Sequence, residues 1–515
     1  MGKEAHAVLG RSFRPLAFGV VAGLVLAGAL SVLSTGAEEI TILHTNDVHG
    51  SFLSRKAEWR DDGREVGGVE ALADRVRKIR GSGGNVLLLD AGDFMTGHPV
   101  CEVEVGGAKG GAMMEFFNAL AYDAMALGNH ELDVSQDNAL ALIAMADFPV
   151  LCSNVVRERD GAVFTGRAAG VVEAGGLRVG IIGAMTEDLF EVVSRDNTTG
   201  LGLLPTLETV QSLADSLDPI TDLVLVLSHM GVGEDRRLAE KVRGVDVIVG
   251  GHSHTRLTEP EKVGDVLIVQ AGSRLSQLGR LDLTVRDDRV VEWSGGLIDL
   301  WIDEMTPQPD MRASAEHFEK LALDAFGEVL GTLEVPWQRT GNRESNIGNW
   351  ITDAMRASTG ADFAVINSGG LRKNLVAGPV RHLDIYEVLP FGNEICRFTC
   401  SGEDLLGLMR TNALAQSEGS HGILQVSGIR YAFRPVAGGV ELVEALVAGE
   451  PVDPEKDYSG VSVDFVVRSQ AEKYLGFLPR EVQPLGIVAD ELVAQAVRKA
   501  GVITDGPGGR MRRLP

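Results

Sequence analysis

The sequence predicts an α/β protein with more than one domain. From Glu39 onward, short apolar runs such as residues 40–43 and 86–89 alternate with amphipathic stretches such as residues 69–79. This alternation is typical of strands and helices that follow one another in α/β folds. A chain of 515 residues is also too long for one hydrophobic core, because domains usually contain about 100–200 residues. We therefore expect at least two large α/β units.

Further strand-like runs each end in a loop that is rich in Gly, His, Asn or Asp. In α/β folds, the loops that follow buried strands are where the chemistry is usually located. These loops are therefore the first place to look for a site. The runs lie at residues 150–152, 179–182, 223–227, 245–249 and 266–269.

A domain boundary is predicted near residues 303–309, where two prolines interrupt the pattern. An amphipathic stretch from about Ala313 to Leu330 follows it, and we interpret residues 306–330 as a linker and interdomain helix. A second α/β pattern then continues to the end. The predicted domains are therefore residues 38–305 and residues 331–515.

Residues 1–37 have the organisation of a signal peptide. Lys3, Arg11 and Arg14 precede the apolar run 16–33, and small residues follow it, as a cleavable export signal requires. The alternative is that this run stays uncleaved as an N-terminal anchor. No later stretch is apolar and long enough to span a membrane, so we expect an exported protein in the periplasm or outside the cell.

The charge of the chain restricts its partners. The formal net charge is −24, which argues against a nucleic-acid polymer because no basic surplus exists to neutralise its backbone. A small anionic substrate then has to be held by a few local cations, either metals or arginines. The four cysteines are too few for a disulfide scaffold, and spacing alone leaves open whether Cys396 and Cys400 pair or simply pack.

The strongest functional signal is a set of five polar clusters, each at the end of an apolar run. Imidazoles, carboxylates and one amide are ligands that suit Mn, Zn, Fe, Co or Mg. Two neighbouring divalent ions need a shared anionic ligand between them, and Asp93 is the candidate bridge. A single His at a strand end is more often structural, but five clusters in order make that interpretation improbable. They lie at residues 47–49, 90–93, 128–131, 228–229 and 250–254.

The five clusters resemble the ordered motifs of the calcineurin-like metallophosphatase superfamily, which are D-x-H, G-D, G-N-H-E/D, an isolated His and G-H-x-H. The resemblance implies a four-layer double β-sandwich flanked by helices. It also implies two divalent metal ions that share one carboxylate. The first would be held by Asp47, His49, Asp93 and His254, and the second by Asp93, Asn129, His229 and His252.

The same resemblance implies roles for two further side chains. His130 would lie beside the scissile phosphate rather than on a metal, and Asp133 would orient its imidazole. An imidazolium at that point can stabilise the transition state or protonate the leaving oxygen. The alternative is that His130 is a third metal ligand.

The second half of the chain carries possible substrate contacts. Residues 342–349, 360–372 and 388–393 supply two arginines, a glycine turn and an aromatic ring, which suit phosphate oxygens and a flat base. Taken singly, the ring is as easily a core residue and the arginines surface ion pairs. The order of the segments resembles the C-terminal domain of the bacterial 5'-nucleotidase/UDP-sugar hydrolase family. That resemblance implies substrate contacts from Arg343, Asn367, Arg372, Phe391 and Phe465.

The same resemblance implies that the two arginines contact phosphate or carboxyl-like oxygens and that the Asn contacts the base or ribose. The two phenylalanine rings stack on opposite faces of the base. After the second ring, the family usually shows Asn/Thr-Gly-Gly-Asp-Gly, whose Asp binds ribose hydroxyls. This chain instead reads VVRSQAEKY over residues 466–474, and Asp464 lies before the ring. The residue that binds ribose is therefore missing from the expected place.

Taken together, the sequence predicts a two-metal hydrolase of 5'-nucleotides, with UDP-sugars and cyclic nucleotides as further substrates, acting as a monomer or weak oligomer. One alternative keeps the metal chemistry but changes the ester to another phosphomonoester or a thiosulfate ester. A second alternative is a noncatalytic nucleotide-binding surface protein, which predicts missing metal ligands. The connector at residues 306–330 is a candidate hinge.

Overall fold

The computed structural model describes residues 37–515, with the exception of residues 58, 61, 421 and 505–507. Helices and strands alternate along this part of the chain, which confirms the α/β class. The signal peptide predicted for residues 1–37 lies outside the described residues, apart from Ala37. None of the helices in the described ranges has the length and apolar character needed to cross a bilayer.

Two six-stranded sheets organise the first half of the fold. Strand Glu38–Thr45 is central in the first sheet, where it pairs in parallel with Asn85–Asp90 and antiparallel to Gln277–Val285. In spatial order, the first sheet contains Val290–Asp299, Gln277–Val285, Glu38–Thr45, Asn85–Asp90, Ala124–Ala126 and Val150–Leu151, and the second contains Ala169–Ala174, Leu177–Met185, Leu223–His229, Val247–Gly250, Val266–Val269 and Glu261–Val263.

The two sheets pack face to face through a shared apolar core. Ile42 and Leu87 of the first sheet are buried in the same cluster as Ile181 and Leu225 of the second. Because side chains alternate between the faces of a strand, Leu43 points the other way, into a cluster with the covering helices. The layers of helix, sheet, sheet and helix confirm the predicted double β-sandwich. Helices Val69–Gly81, Gly111–Ala119 and Gln136–Met145 cover the first sheet, and Thr206–Leu217 and Val232–Ala239 cover the second.

Short elements fill the connections of the first half. They also add buried side chains to the core of the first half, among them Val66, Val155 and Leu189. They are the strand pairs Arg55–Lys56 with Glu65–Val66, Glu104–Val105 with Ala108–Lys109, and Val155–Arg157 with Leu201–Leu203, and the helices Leu189–Val192 and Arg195–Thr198.

Three smaller sheets surround a single core in the second half. Phe363 and Phe398 are buried at its centre, with ring centroids 5.6 Å apart. The sheets are Leu424–Ser427, Phe363–Asn367, Asp457–Val463, Glu394–Ser401 and Arg480–Val488; Glu450–Pro451, Gly439–Val447, Ile429–Val436 and Met511–Arg513; and Gly378–Arg381, Val329–Leu333 and Val502–Ile503. The helices are Asn346–Thr359, His382–Val388, Gly402–Glu418, Ala471–Tyr474 and Ala489–Ala500, with one π-helical turn at Phe465–Ser469.

One long helix, Pro309–Phe326, joins the two halves. The sequence placed this helix at about residues 313–330, so the prediction was wrong by four residues at each end. Pro309 occupies the first turn, where its missing N–H costs no hydrogen bond, and Gly327 is the C-cap. Phe318 packs into the core of the first half, whereas Phe326 contacts the ring of Tyr386 in the second half.

Cys396 and Cys400 lie four residues apart on strand Glu394–Ser401. Both are buried free thiols. Burial raises the pKa of each thiol to about 12. Cys396 and Cys400 therefore pack in the core as separate thiols and do not pair.

Candidate metal centre and active site

The predicted metal ligands follow five strands whose ends lie at one edge of the sandwich. Glu38–Thr45, Asn85–Asp90 and Ala124–Ala126 run parallel in the first sheet, and Leu223–His229 and Val247–Gly250 run parallel in the second. The carboxyl ends of parallel strands lie at the same edge of a sheet. The loops that follow these strands therefore converge.

Several ligands lie on backbone with positive φ, which is rare for residues other than Gly. The φ angles are 51° at Asp47, 49° at His49, 63° at Asp93, 71° at His252 and 53° at His254. Strained conformations of this kind persist only where surrounding contacts hold them, and they concentrate at functional sites. Here they turn side chains from separate loops towards one point.

The first group of ligands consists of Asp47, His49 and His254. Each offers one ligand atom, and these atoms lie within 4.8 Å of one another. His254 Nε2 is 3.0 Å from His49 Nε2 and 3.3 Å from Asp47 Oδ1. His49 is itself oriented through Nδ1, which donates to the carbonyl oxygen of Thr96 at 2.9 Å.

The second group consists of Asp93, His229 and His252, again with ligand atoms within 4.8 Å of one another. His229 Nε2 is 3.0 Å from Asp93 Oδ2, and His252 Nδ1 is 3.0 Å from Asn129 Oδ1. The ligand atoms of Asp93, His49 and His130 also lie within 4.8 Å of one another. It therefore connects the two groups, as a bridging carboxylate has to.

The donor set fits divalent cations, and His229 shows this most directly. Its Nδ1–H donates to the carbonyl oxygen of Ala91 at 2.7 Å, so its lone pair is on Nε2. The buried Nε2 lies 3.0 Å from Asp93 Oδ2 but does not form a hydrogen bond with it. A buried lone pair that faces the Asp93 carboxylate is unfavourable, unless a cation satisfies both groups.

His130 lies beside the metal ligands and is held by a carboxylate behind it. Its Nδ1–H donates to Asp133 Oδ2 at 2.6 Å, and the same oxygen accepts from Thr96 Oγ1 at 2.6 Å. His130 Nε2 is 3.7 Å from Asp93 Oδ2. Burial lowers the pKa of His130, but the carboxylates of Asp133 and Asp93 outweigh this effect, so the pKa lies above its ordinary value.

Glu131 supports the candidate metal centre, and no role was predicted for it although it lies within one of the polar clusters. Its buried carboxylate accepts from the backbone N–H groups of Asp93, Phe94, Met95 and Gly128 at 2.7–3.2 Å. Burial and the nearby charge of Asp93 raise its pKa to about 7. Glu131 therefore fixes the loop that carries the candidate bridging carboxylate.

A cavity of about 240 Å³ opens next to these ligands and is lined by both halves of the chain. The cavity brings together most of the predicted substrate contacts and most of the predicted metal ligands. From the first half the lining includes Asp93, Asn129, His130, Asp133, His252 and His254, and from the second half Asn367, Arg372, Phe391 and Phe465.

Phe391 connects the two sets of residues directly. Its ring stacks on His130 with centroids 5.7 Å apart and an interplanar angle of 22°. The Arg372 guanidinium lies 5.6 Å from the centroid of the same ring. Burial lowers the pKa of Arg372, as do the nearby cations of Arg274 and Arg339. The Arg372 guanidinium therefore places a positive charge beside Phe391 and His130 in this cavity.

Arg343 is the exception among the predicted substrate residues. It is exposed and is not among the residues that line the cavity, and its backbone oxygen accepts from Gln425 Nε2 at 2.9 Å. Arg339, four residues earlier, is instead close enough to Arg372 to lower its pKa. The sequence contained a weak signal for Arg339, because both arginines lie in one glycine-containing segment.

Asn367 is buried, and in the described part of the chain its Oδ1 accepts no hydrogen bond. Tyr474 also lines the cavity, with its ring centroid 6.2 Å from that of Phe465. Tyr474 was not predicted as a site residue, because the segment departs from the expected motif there. The cavity therefore offers an unpaired polar atom and a second aromatic ring near Phe465.

Two protein families match this chain. Residues 40–256 match "Calcineurin-like phosphoesterase", and residues 329–475 match "5'-nucleotidase, C-terminal domain". The first match covers all five clusters of candidate metal ligands. The second covers Arg343, Asn367, Arg372, Phe391 and Phe465.

Individual relatives cover both halves together. A snake venom 5'-nucleotidase of Crotalus adamanteus is 30% identical over 467 residues, which is 80% of this chain and 76% of the relative. The "Silent protein UshA(0)" of Salmonella typhimurium is 28% identical over 520 residues, 87% of this chain and 90% of the relative. The crystal structure of a 5'-nucleotidase precursor from Thermus thermophilus superposes with a TM-score of 0.81 at 28% identity, covering 92% of this chain and 99% of the other.

Proposed function

Because the chain belongs to the 5'-nucleotidase family, we propose that it hydrolyses 5'-nucleotides to nucleoside and phosphate with the help of two divalent metal ions. The observation that carries this proposal is the shared cavity. Candidate metal ligands line one part of it, and an arginine and aromatic rings line another. A nucleotide fits this arrangement, because its phosphate can lie at the metal ligands while its flat base lies at the aromatic rings.

The metal ligands that we propose are those in the two groups around Asp93. When bound, two divalent ions activate a water molecule and neutralise charge on the phosphoryl oxygens. The first ion would be held by Asp47, His49, Asp93 and His254, and the second by Asp93, Asn129, His229 and His252. The donor chemistry suits Mn, Zn, Co, Fe or Mg.

His130 is the proposed general acid. Its Nδ1 is occupied by Asp133, so Nε2 is the nitrogen available to the cavity. A protonated Nε2 can deliver its proton to the leaving ribose oxygen or stabilise the charge that develops there. Asp133 keeps the imidazole in that orientation and favours its protonated form.

The second half is proposed to recognise the nucleotide. Arg372 has the fork geometry that suits phosphate oxygens, and Phe391 and Phe465 supply the flat faces between which a base can stack. The unpaired Oδ1 of Asn367 suits an N–H donor of the base. Arg343 lies outside the cavity in this structure. We propose it as a phosphate contact only if the two halves adopt a different arrangement.

The proposed domain division places residues 38–305 in the metallophosphatase domain, residues 306–330 in the linker and residues 331–515 in the recognition domain. The basic and apolar pattern of residues 1–37 supports export to the periplasm or the cell exterior. Two relatives have names that accord with a nucleotidase of this kind.

The proposal is tested by phosphate release from the purified protein with Mn²⁺. The substrates are AMP, UMP, UDP-glucose, 2',3'-cyclic AMP and p-nitrophenyl phosphate, with Asp93→Asn as the control. We expect turnover of AMP and UMP that depends on the metal and falls by at least about 100-fold in Asp93→Asn, because the two ions then lose their shared charge.

Other outcomes identify the alternatives. Turnover of p-nitrophenyl phosphate alone would retain the metallophosphoesterase and contradict the nucleotide assignment. Release of sulfate from a thiosulfate ester, with no nucleotide turnover, would identify the thiosulfohydrolase. Nucleotide binding without any turnover, whichever divalent metal is supplied, would identify the noncatalytic binding protein.

A further inference from the structure

Among the described residues that line the cavity, three carry a carboxylate: Asp93, Asp133 and Glu191. Asp93 belongs to the candidate metal ligands, and Asp133 is hydrogen-bonded to His130 and Thr96. Glu191 takes part in neither arrangement. It comes from the short helix Leu189–Val192 in the first half of the chain.

Glu191 lies next to the aromatic residues of the second half. Its Oε2 accepts from Lys473 Nζ at 2.8 Å. Lys473 Nζ lies 6.0 Å from the ring centroid of Tyr474, and Tyr474 is 6.2 Å from Phe465 by ring centroids. The Glu191 side chain is 54% exposed and that of Lys473 is 50% exposed, so the pair stands at the opening of the cavity beside the proposed base site.

The segment that carries Glu191 is held from both halves. Gln470 Nε2 donates to the carbonyl oxygen of Phe190 at 2.9 Å, and the backbone N–H of Arg195 donates to Ser469 Oγ at 3.1 Å. On the other side, Asn197 Nδ2 donates to the carbonyl oxygen of Asp133 at 2.7 Å. These contacts position the carboxylate relative to the metal centre and relative to the aromatic rings.

A ribose presents two neighbouring hydroxyl groups, and an ionised carboxylate can accept from both because it has about four lone-pair sites. Glu191 uses Oε2 for Lys473, while Oε1 accepts no hydrogen bond from the part of the chain covered by the structure. The residues around Phe465 supply no such carboxylate to the cavity. Asp464 accepts from the backbone N–H of Phe465 at 2.7 Å, and Glu472 is not part of the lining.

We propose that Glu191, held in place by Lys473, binds the ribose hydroxyls of the nucleotide. Ribose recognition then comes from the metal-binding half, across the opening of the cavity, and makes the enzyme selective for ribonucleotides. This proposal rests on the proposed nucleotidase function, because it concerns one part of the same substrate.

The test compares AMP with 2',3'-dideoxyadenosine 5'-monophosphate, which lacks both hydroxyl groups. For the unmodified protein with Mn²⁺, we expect kcat/KM to be at least about 10-fold higher for AMP, which is the size expected for hydrogen bonds to a charged group. Glu191→Gln should lower kcat/KM for AMP nearly to the value for the dideoxy analogue and leave the analogue unchanged. The preference is a ratio measured within one protein, so partial misfolding does not affect it.

Asp196→Asn is the matched control. Asp196 lies in the same segment and pairs with Arg468 across the same interface at 3.2 Å, but it does not line the cavity. It should keep the full preference for AMP. Equal kcat/KM for both substrates in the unmodified protein, or an equal loss for both in Glu191→Gln, would overturn the proposal while leaving the nucleotidase function intact. Turnover of neither substrate by the unmodified protein would contradict the nucleotidase function itself.

Discussion

The candidate metal ligands are held in place by hydrogen bonds to neighbouring groups. The Nδ1–H of His229 and that of His49 donate to backbone oxygens, so both rings present Nε2 to the same space. Glu131 holds the loop of Asp93 through backbone N–H groups. Partners of this kind fix the tautomer and orientation of a metal ligand.

Glu131→Gln is expected to weaken Mn²⁺ binding by about 10–100-fold, the usual effect of removing a group that orients a ligand. The amide nitrogen of Gln would face backbone N–H donors that now find a carboxylate oxygen, so the Asp93 loop would lose part of its support. Calorimetric titration with Mn²⁺ measures the change. An unaltered affinity in a correctly folded variant would show that the loop holds Asp93 without Glu131.

The candidate metal ligands could be proposed from the sequence because their ordered clusters resemble the metallophosphatase motifs and follow apolar runs. The structure places all seven at one edge of the sandwich, in two groups joined by Asp93. The substrate residues were harder to predict. Arg343 and Arg339 are four residues apart, and only the path of the backbone decides which of them approaches Arg372.

At the scale of the elements, a buried carboxyl group next to a strand makes the stability of the fold depend on pH. Asp246 directly precedes strand Val247–Gly250, and its Oδ2 accepts from the backbone N–H of Val224 at 2.9 Å. Burial raises the pKa of Asp246 to about 6, and the nearby carboxylates of Asp218 and Asp288 add to the effect. The folded protein therefore binds a proton between about pH 4 and 6 that the unfolded chain does not bind.

Asp246→Asn is expected to make stability less dependent on pH. In the unmodified protein, a raised carboxyl pKa means that stability falls as pH increases from 4 to 6 and stays lower above that range. The Asn side chain keeps an acceptor for Val224 and never ionises, so the variant should gain roughly 2 kcal/mol relative to the unmodified protein at pH 8, and almost nothing at pH 4. Chemical denaturation at both pH values measures this, and a difference that does not change with pH would contradict the account.

At the scale of the whole molecule, the cavity exists only because the two halves meet. Tyr386 Oη donates to Glu102 Oε1 at 2.8 Å across the interface, and the backbone N–H of Arg195 donates to Ser469 Oγ at 3.1 Å. The fold of each half could be predicted from the sequence separately. A contact between residues about 280 positions apart leaves no pattern in the local sequence, so it could not be predicted. The position of Glu191 beside Lys473 therefore could not be predicted from the sequence.

Separation of the halves should be needed for products to leave a cavity lined by both. Arg195→Cys combined with Ser469→Cys would place a disulfide where backbone and side-chain atoms are now 3.1 Å apart. We expect oxidation to lower kcat by about 10-fold or more and reduction to restore it, because lid opening or product release limits kcat in many enzymes. Each single Cys variant serves as a control. Full turnover in the oxidised double variant would show that the halves need not separate.

The proposal that the protein uses two metal ions held around Asp93 is tested by a metal titration that measures bound Mn²⁺ and AMP hydrolysis together. We expect two ions per chain, with activity that follows occupancy of the second ion and is lost in Asp93→Asn. Full activity of metal-free protein, or of protein that binds a single ion, would contradict it.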